Sequence, residues 1–133
     1  MRKGIPALAA LLLLATAPGV ALAHHSFAVF FDETKDVTIT GTVKSFRFTN
    51  PHGVIVLDVA EPQGRAHREW RVETNAPVVL MRRGWTRDSL KAGDKVTVEG
   101  WPSRDGKPYM RLRAARDASG KLIGQAAFSQ SDD

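Results

Sequence analysis

The chain has 133 residues, with 19 basic against 14 acidic side chains, four histidines and no cysteine. Without cysteine there is no disulfide framework, no thiolate metal site and no thiol catalysis. The length suits one domain behind a leader, held by one modest hydrophobic core.

Residues 1–23 have the three parts of a secretory signal. Arg2 and Lys3 start it, residues 7–17 form an apolar run, and Ala21-Leu22-Ala23 is a small-residue exit. A bilayer span needs ~20 apolar residues, so the run is short for an anchor, and no later stretch is a better candidate. The expectation is export to the periplasm or beyond, cleavage after Ala23, and a mature chain that begins at His24. Taking 23 residues from 133, with Arg2 and Lys3 among them, leaves 110 residues and a net charge of +3 with neutral histidines.

Residues 24–36 read as an N-terminal arm. Phe27, Phe30 and Phe31 lie against the core, and Asp32-Glu33-Thr34-Lys35-Asp36 forms a solvated turn. Residues 37–48 alternate Val37, Ile39, Gly41 and Val43 with threonines, the two-residue period of a half-buried strand. The apolar parity then flips to Phe46 and Phe48, which predicts a bulge or bend near Lys44-Ser45.

Thr49-Asn50-Pro51-His52-Gly53 is a turn by composition, followed by a buried strand over residues 54–60. Glu61-Pro62-Gln63-Gly64 turns into a third strand over 66–74. There Trp70 and Val72 face in, while His67, Glu69, Arg71 and Glu73 face out. Asn75 is the expected cap of a short helix with Pro77 in its first turn, ended by Gly84. Residues 95–101 form a fourth strand, Ser103-Arg104-Asp105-Gly106 an Asp-Gly hairpin turn, and residues 110–115 a fifth strand. A short strand over 121–123 and a flexible tail over 125–133 complete the chain. Three strands, a short helix and two strands, with a bent first strand, predict an all-β, five-stranded, OB-like partly open barrel. A β-sandwich, the alternative, wants more strands and no central helix.

The residues that could carry chemistry are histidines. A mature terminal His24 offers its α-amine and imidazole as a chelate, and the amine titrates near 7.7–8.0, so a metal displaces its proton readily. His52 from the distant turn would supply a third nitrogen, completing a T-shaped histidine brace. His25 is an alternate or neighbouring ligand. Nitrogen-rich tetragonal sites suit copper(II), so the expected metal residues are His24, His52 and His25, and the expected cofactor is copper. His67 lies on the charged outer row, Met110 has core parity, and Asp32 or Glu33 are minor oxygen candidates.

Nucleic acid is the second class considered, because OB-folds often bind single strands. Arg82, Arg83, Arg87, Arg104, Arg111, Arg113 and Arg116 are its basic residues. Export, the small net charge and the lack of an outward aromatic row on the second and third strands argue against it. An enzyme is the third class. No Gly-x-Ser-x-Gly motif, phosphate loop or carboxylate pair in an acid–base setting is present, so no conventional catalysis is expected.

His24-His25-Ser26-Phe27, Thr40-Gly41-Thr42-Val43, Thr49-Asn50-Pro51-His52 and the block Arg82-Arg83-Gly84-Trp85-Thr86-Arg87-Asp88-Ser89-Leu90-Lys91 resemble domain of unknown function 6152. This is a family of small exported bacterial proteins, and the likeness spans nearly the whole mature chain. The resemblance implies a periplasmic, OB-like protein without an established activity. Its motif positions include His24, His25, Asn50, Pro51 and His52, whereas His67 lies outside them. The chain also carries Pro108-Tyr109-Met110 where relatives are more polar. The resulting expectation is a monomer that binds a metal ion or, alternatively, a protein or small ligand of the envelope, with no membrane span after cleavage.

Overall fold

The computed structural model describes residues 27–64 and 66–132. In chain order they form α1 (Phe27–Phe30), β1 (Val37–Arg47), β2 (Val54–Ala60), β3 (His67–Glu73), α2 (Pro77–Arg82), β4 (Lys95–Pro102) and β5 (Tyr109–Asp117). The strands close a barrel in the order β1-β2-β3-β5-β4, with α2 between β3 and β4, which is the OB arrangement.

β1 makes closure possible. Val37–Thr42 pair with β4, while Thr42–Arg47 pair with β2. The register slips between Val43 and Ser45, where the apolar parity flips in the sequence, so the bulge turns one strand into two sheet edges. Gly41 lies at the changeover, and a Cβ there would stand 2.7 Å from the Asp58 carbonyl oxygen. The weakest seam is parallel: β3 meets β5 only through Arg71–Tyr109, Val72–Met110 and Glu73–Arg111.

Ile55, Leu57, Val72, Val98 and Leu112 are fully covered in the core, and α2 adds Val79 and Leu80. Trp85 sits edge-on to Phe46 at 5.9 Å and lies 6.3 Å from Phe128. A second, smaller cluster of Phe27, Phe31 and Trp101, with Tyr109 against it, forms outside the barrel wall.

Several expectations are corrected. The N-terminal arm is a helical turn that buries Phe27 and Phe31 but leaves Phe30 exposed. The α2 cap is Ala76, without a side-chain cap bond. Asn75 is instead buried, and its side-chain amide donates to the Asp132 carbonyl. Residues 121–123 form only an isolated Arg116–Leu122 bridge rather than a strand. Residues 125–132 are packed down: Phe128 is 3% exposed, its amide donates to the Arg113 carbonyl at 2.7 Å, and Arg83 pairs with Asp132 at 2.5 Å. Phe128 and the Arg83–Asp132 pair together dock the tail. Among the described residues, no helix is long and apolar enough to cross a membrane.

Candidate functional site

The second cluster reaches His52, the histidine of the β1–β2 loop, through Phe27. Gly53 ties this loop to the end of β3: its carbonyl accepts the Thr74 amide at 2.9 Å, and its own amide reaches the Asn75 carbonyl at 3.4 Å. A Cβ at Gly53 would collide with the Thr74 hydroxyl at 2.5 Å, so only glycine lets the loop close here. The closure carries His52 over Glu73, the last residue of β3. His52 Nδ1 lies 2.8 Å from Glu73 Oε1, with the His52 side chain 30% exposed.

Glu73 is held from its other side as well. The Tyr109 hydroxyl donates to Glu73 Oε2, and Arg111 faces Glu73 across the β3–β5 pairing. Burial pushes the Glu73 carboxyl above its ordinary range, while His52, Arg111 and Arg71 pull it back.

Arg111 is fully buried, an unusual place for a guanidinium. Its charged carbon stands 3.6 Å from the Phe27 ring centre and 5.3 Å from that of Trp101. Its Nη1 donates to Glu33 Oε1 at 3.3 Å. Phe27 thus meets both groups, with the Arg111 guanidinium against its ring and the His52 ring 4.9 Å from its centre. Phe31 supports the arrangement by meeting Tyr109 edge-on at 5.0 Å.

The expected metal residues divide. His24 and His25 lie outside the described residues. His52 is present and oriented. Among the described residues, no three His, Cys, Asp or Glu side chains form a group able to hold a metal ion. Three peptide links join His24 to Phe27, and an extended chain of that length spans at most about 11 Å.

The secondary candidates sit elsewhere. His67 is exposed on β3 with Nδ1 2.7 Å from Asp58 Oδ2. Met110 is fully buried in the barrel core. Asp32 accepts from the Thr34 hydroxyl and pairs with Lys35 at 3.0 Å, which holds its carboxyl down at about 2. Of the candidate nucleic-acid arginines, Arg111 is buried, Arg83 pairs with Asp132, Arg113 with Asp36 and Arg116 with Glu99.

Sequence reasoning missed Glu73, Tyr109 and Arg111. Strand alternation puts Glu73 and Arg111 on outer rows, and so they read as solvated. What alternation does not carry is that the N-terminal turn covers the outer face of β5 at Arg111.

The topology and the bulged first strand make this an OB-fold protein whose candidate site is carried by a loop and a docked terminal turn. The chain belongs to the family of unknown function DUF6152, whose model matches residues 10–111, a span that includes His24, His52, Glu73 and Arg111. No curated protein matches it. Among solved structures it is similar to the mitochondrial single-stranded DNA binding protein Rim1 of S. cerevisiae, at 10% identity and a TM-score of 0.48, over 69% of this chain and 96% of that one. It is also similar to TiaS in its complex with a tRNA and ATP, at 16% identity and a TM-score of 0.42, over 65% of this chain and 19% of that one.

Proposed function

We propose that this is an exported periplasmic protein that binds a copper-type ion through the mature N-terminus and His52, to sequester or deliver it. The observation that carries the reading is the seat of Phe27 against the His52 ring, three residues downstream of His24. A chain cut after Ala23 starts within a short tether of that ring. His24 supplies amine and imidazole nitrogens, His52 supplies Nε2 because Nδ1 is engaged by Glu73, and His25 is the alternate ligand. Copper(II) suits such a nitrogen set. The role is binding rather than conventional catalysis.

Titration of the processed protein with copper(II) tests this, after mass spectrometry has fixed its first residue. Tight one-to-one binding is expected. It should weaken sharply when one residue is added before His24 and when His52 is replaced by alanine. Affinity indifferent to both changes would remove the brace.

A second reading, a protein- or small-ligand-binding module of the envelope, is favoured by a groove of about 400 Å³ lined by Glu69, Arg71, Lys107, Pro108 and Tyr109. That reading expects ligand-induced shifts at Tyr109 that persist with metal chelated.

A further inference from the structure

We infer that the outer face of α2, with the turn that follows it, is a docking surface for an anionic phospholipid membrane. The inference stands apart from the copper reading and uses none of its residues.

α2 buries Val79 and Leu80 in the core, yet its outer face is apolar as well. Val78 is 49% exposed and Met81 57% exposed. Positions three and four apart are neighbours on a helix, so Val78, Met81 and Arg82 form one outward row. A surface helix ordinarily turns polar and charged residues to that side. Single exposed apolar residues are common and carry no message, but here two share a row with a guanidinium.

The cations at this face are uncommitted. Arg83 is taken by Asp132, Arg113 by Asp36 and Arg116 by Glu99. Among the described residues Arg82 and Arg87 pair with no acid, and Arg87 instead lies over the Phe48 ring at 5.4 Å. No acidic residue occurs over residues 76–87, and Asp88 is the first to follow.

The turn after α2 fixes the second cation. Trp85 is buried, and its amide donates to the Leu80 carbonyl at 3.0 Å, which ties the turn to the helix. The Thr86 amide donates to Ser89 Oγ at 2.8 Å and the Ser89 amide to the Thr86 carbonyl at 3.1 Å, so Arg87 sits within a closed turn. The block over residues 82–91 thereby gains a duty: Trp85 anchors it, and Arg82 and Arg87 flank the anchor.

Size and charge choose the occupant. Two apolar side chains and two guanidiniums are far fewer than the ~20–30 residues that each side of a stable protein interface contributes. A bilayer needs no such area, because apolar tips enter the headgroup boundary while cations meet the lipid phosphates. Each arginine near an anionic surface strengthens binding about fivefold, so the attachment is weak, reversible and sensitive to salt.

The experiment uses the chain beginning at His24, its first residue checked by mass spectrometry, so that the apolar leader contributes nothing. Co-sedimentation is measured with vesicles of phosphatidylcholine alone and with a quarter of the lipid replaced by phosphatidylglycerol. Binding is expected to the anionic vesicles and not to phosphatidylcholine, and should fall away in ~1 M salt, where the Debye length is ~3 Å. Arg82→Gln should cost about fivefold, and Arg82→Gln with Arg87→Gln on the order of 25-fold. Val78→Ser with Met81→Ser should cost about tenfold or more. Arg68→Gln removes the same charge at the start of β3, the end of that strand away from α2, and should leave binding close to wild type. The chain has no cysteine, so Met81→Cys and Arg68→Cys each carry a polarity-sensitive dye at a single site. A blue shift on anionic vesicles is expected at position 81 and not at position 68.

Equal losses for Arg68→Gln and Arg82→Gln, or equal blue shifts at the two positions, would leave net charge as the sole cause and overturn the docking face. Equal binding to both kinds of vesicle, or to neither, overturns the anionic membrane as its occupant. If sedimentation equilibrium then shows a dimer that Met81→Ser dissociates, the face belongs to a second copy of the chain. Circular dichroism checks folding; should Arg87→Gln loosen the packing at Phe48, Arg82→Gln and the two dye positions decide without it.

Discussion

The Arg111 guanidinium carbon lies 3.6 Å from the centre of the Phe27 ring, and Arg111 is fully buried. A desolvated cation–π contact contributes ~2 kcal/mol or more. Phe27→Leu keeps an apolar side chain but removes the π face, and should lower unfolding free energy by about 2 kcal/mol. Urea denaturation reads this directly. A change below ~0.5 kcal/mol, the floor for an exposed cation–π contact, would mean that apolar burial alone seats the turn.

Gly100 faces the same arginine through its backbone. A Cβ at this position would run into the Arg111 carbonyl oxygen and stand 2.9 Å from Met110 Sδ. β4 and β5 shift register between Glu99 and Gly100, and the position leaves no room for a side chain. Overpacking of this kind costs about 1–3 kcal/mol. Gly100→Ala should reach or exceed the upper end, seen as a lower denaturant midpoint, and an unchanged midpoint would show that the strands separate freely.

Two turns contribute to the acid limb of stability. Asp32, bound by the Thr34 hydroxyl and Lys35, and Asp105, bound by Lys107 and the Ser103 hydroxyl, are both held down from 3.8 to about 2. A carboxylate with a lowered folded pKa stabilises the fold fully above its unfolded value, and that contribution disappears as pH falls through the folded one. Stability should therefore drop between about pH 4 and about pH 2. The double variant Asp32→Asn with Asp105→Asn should show a shallower drop over this interval. Parallel pH profiles for the two proteins would contradict the assignment.

Phe128 closes the core from the C-terminal side, 3% exposed and 6.3 Å from Trp85. Phe→Ala in a core costs about 3–5 kcal/mol. Phe128→Ala should approach that range and make residues 125–132 accessible to limited proteolysis. Resistance equal to wild type would mean that the Arg83–Asp132 pair alone retains the segment.

The barrel was largely legible in the chain. The threonine alternation and parity flip around Lys44-Ser45 marked the bulge, and the Asp-Gly pair at 105–106 marked the β4–β5 hairpin. The site was half legible. His52 stood out because histidine in a turn has few structural duties, whereas Glu73 and Arg111 looked like ordinary members of charged outer rows. Their burial depends on Phe27 and Phe31, roughly 40 to 80 positions away in the chain, and a two-residue period reports only which side of a strand a residue occupies. Asn75 misled for a related reason: its composition suits a cap, but the Asp132 carbonyl takes its amide.

The short seam between β3 and β5 has a kinetic consequence. Arg71 sends its amide to the Pro108 carbonyl at 3.0 Å, and by strand alternation the amides of His67 and Glu69 point the same way, beyond the last paired residue. Deuterium from solvent should enter these two positions first, well before the amides of β1 and β4. The barrel thus has a designated place to breathe. The charges of Arg68 and Glu69 along that lip discourage a passing strand from another molecule from zipping into it.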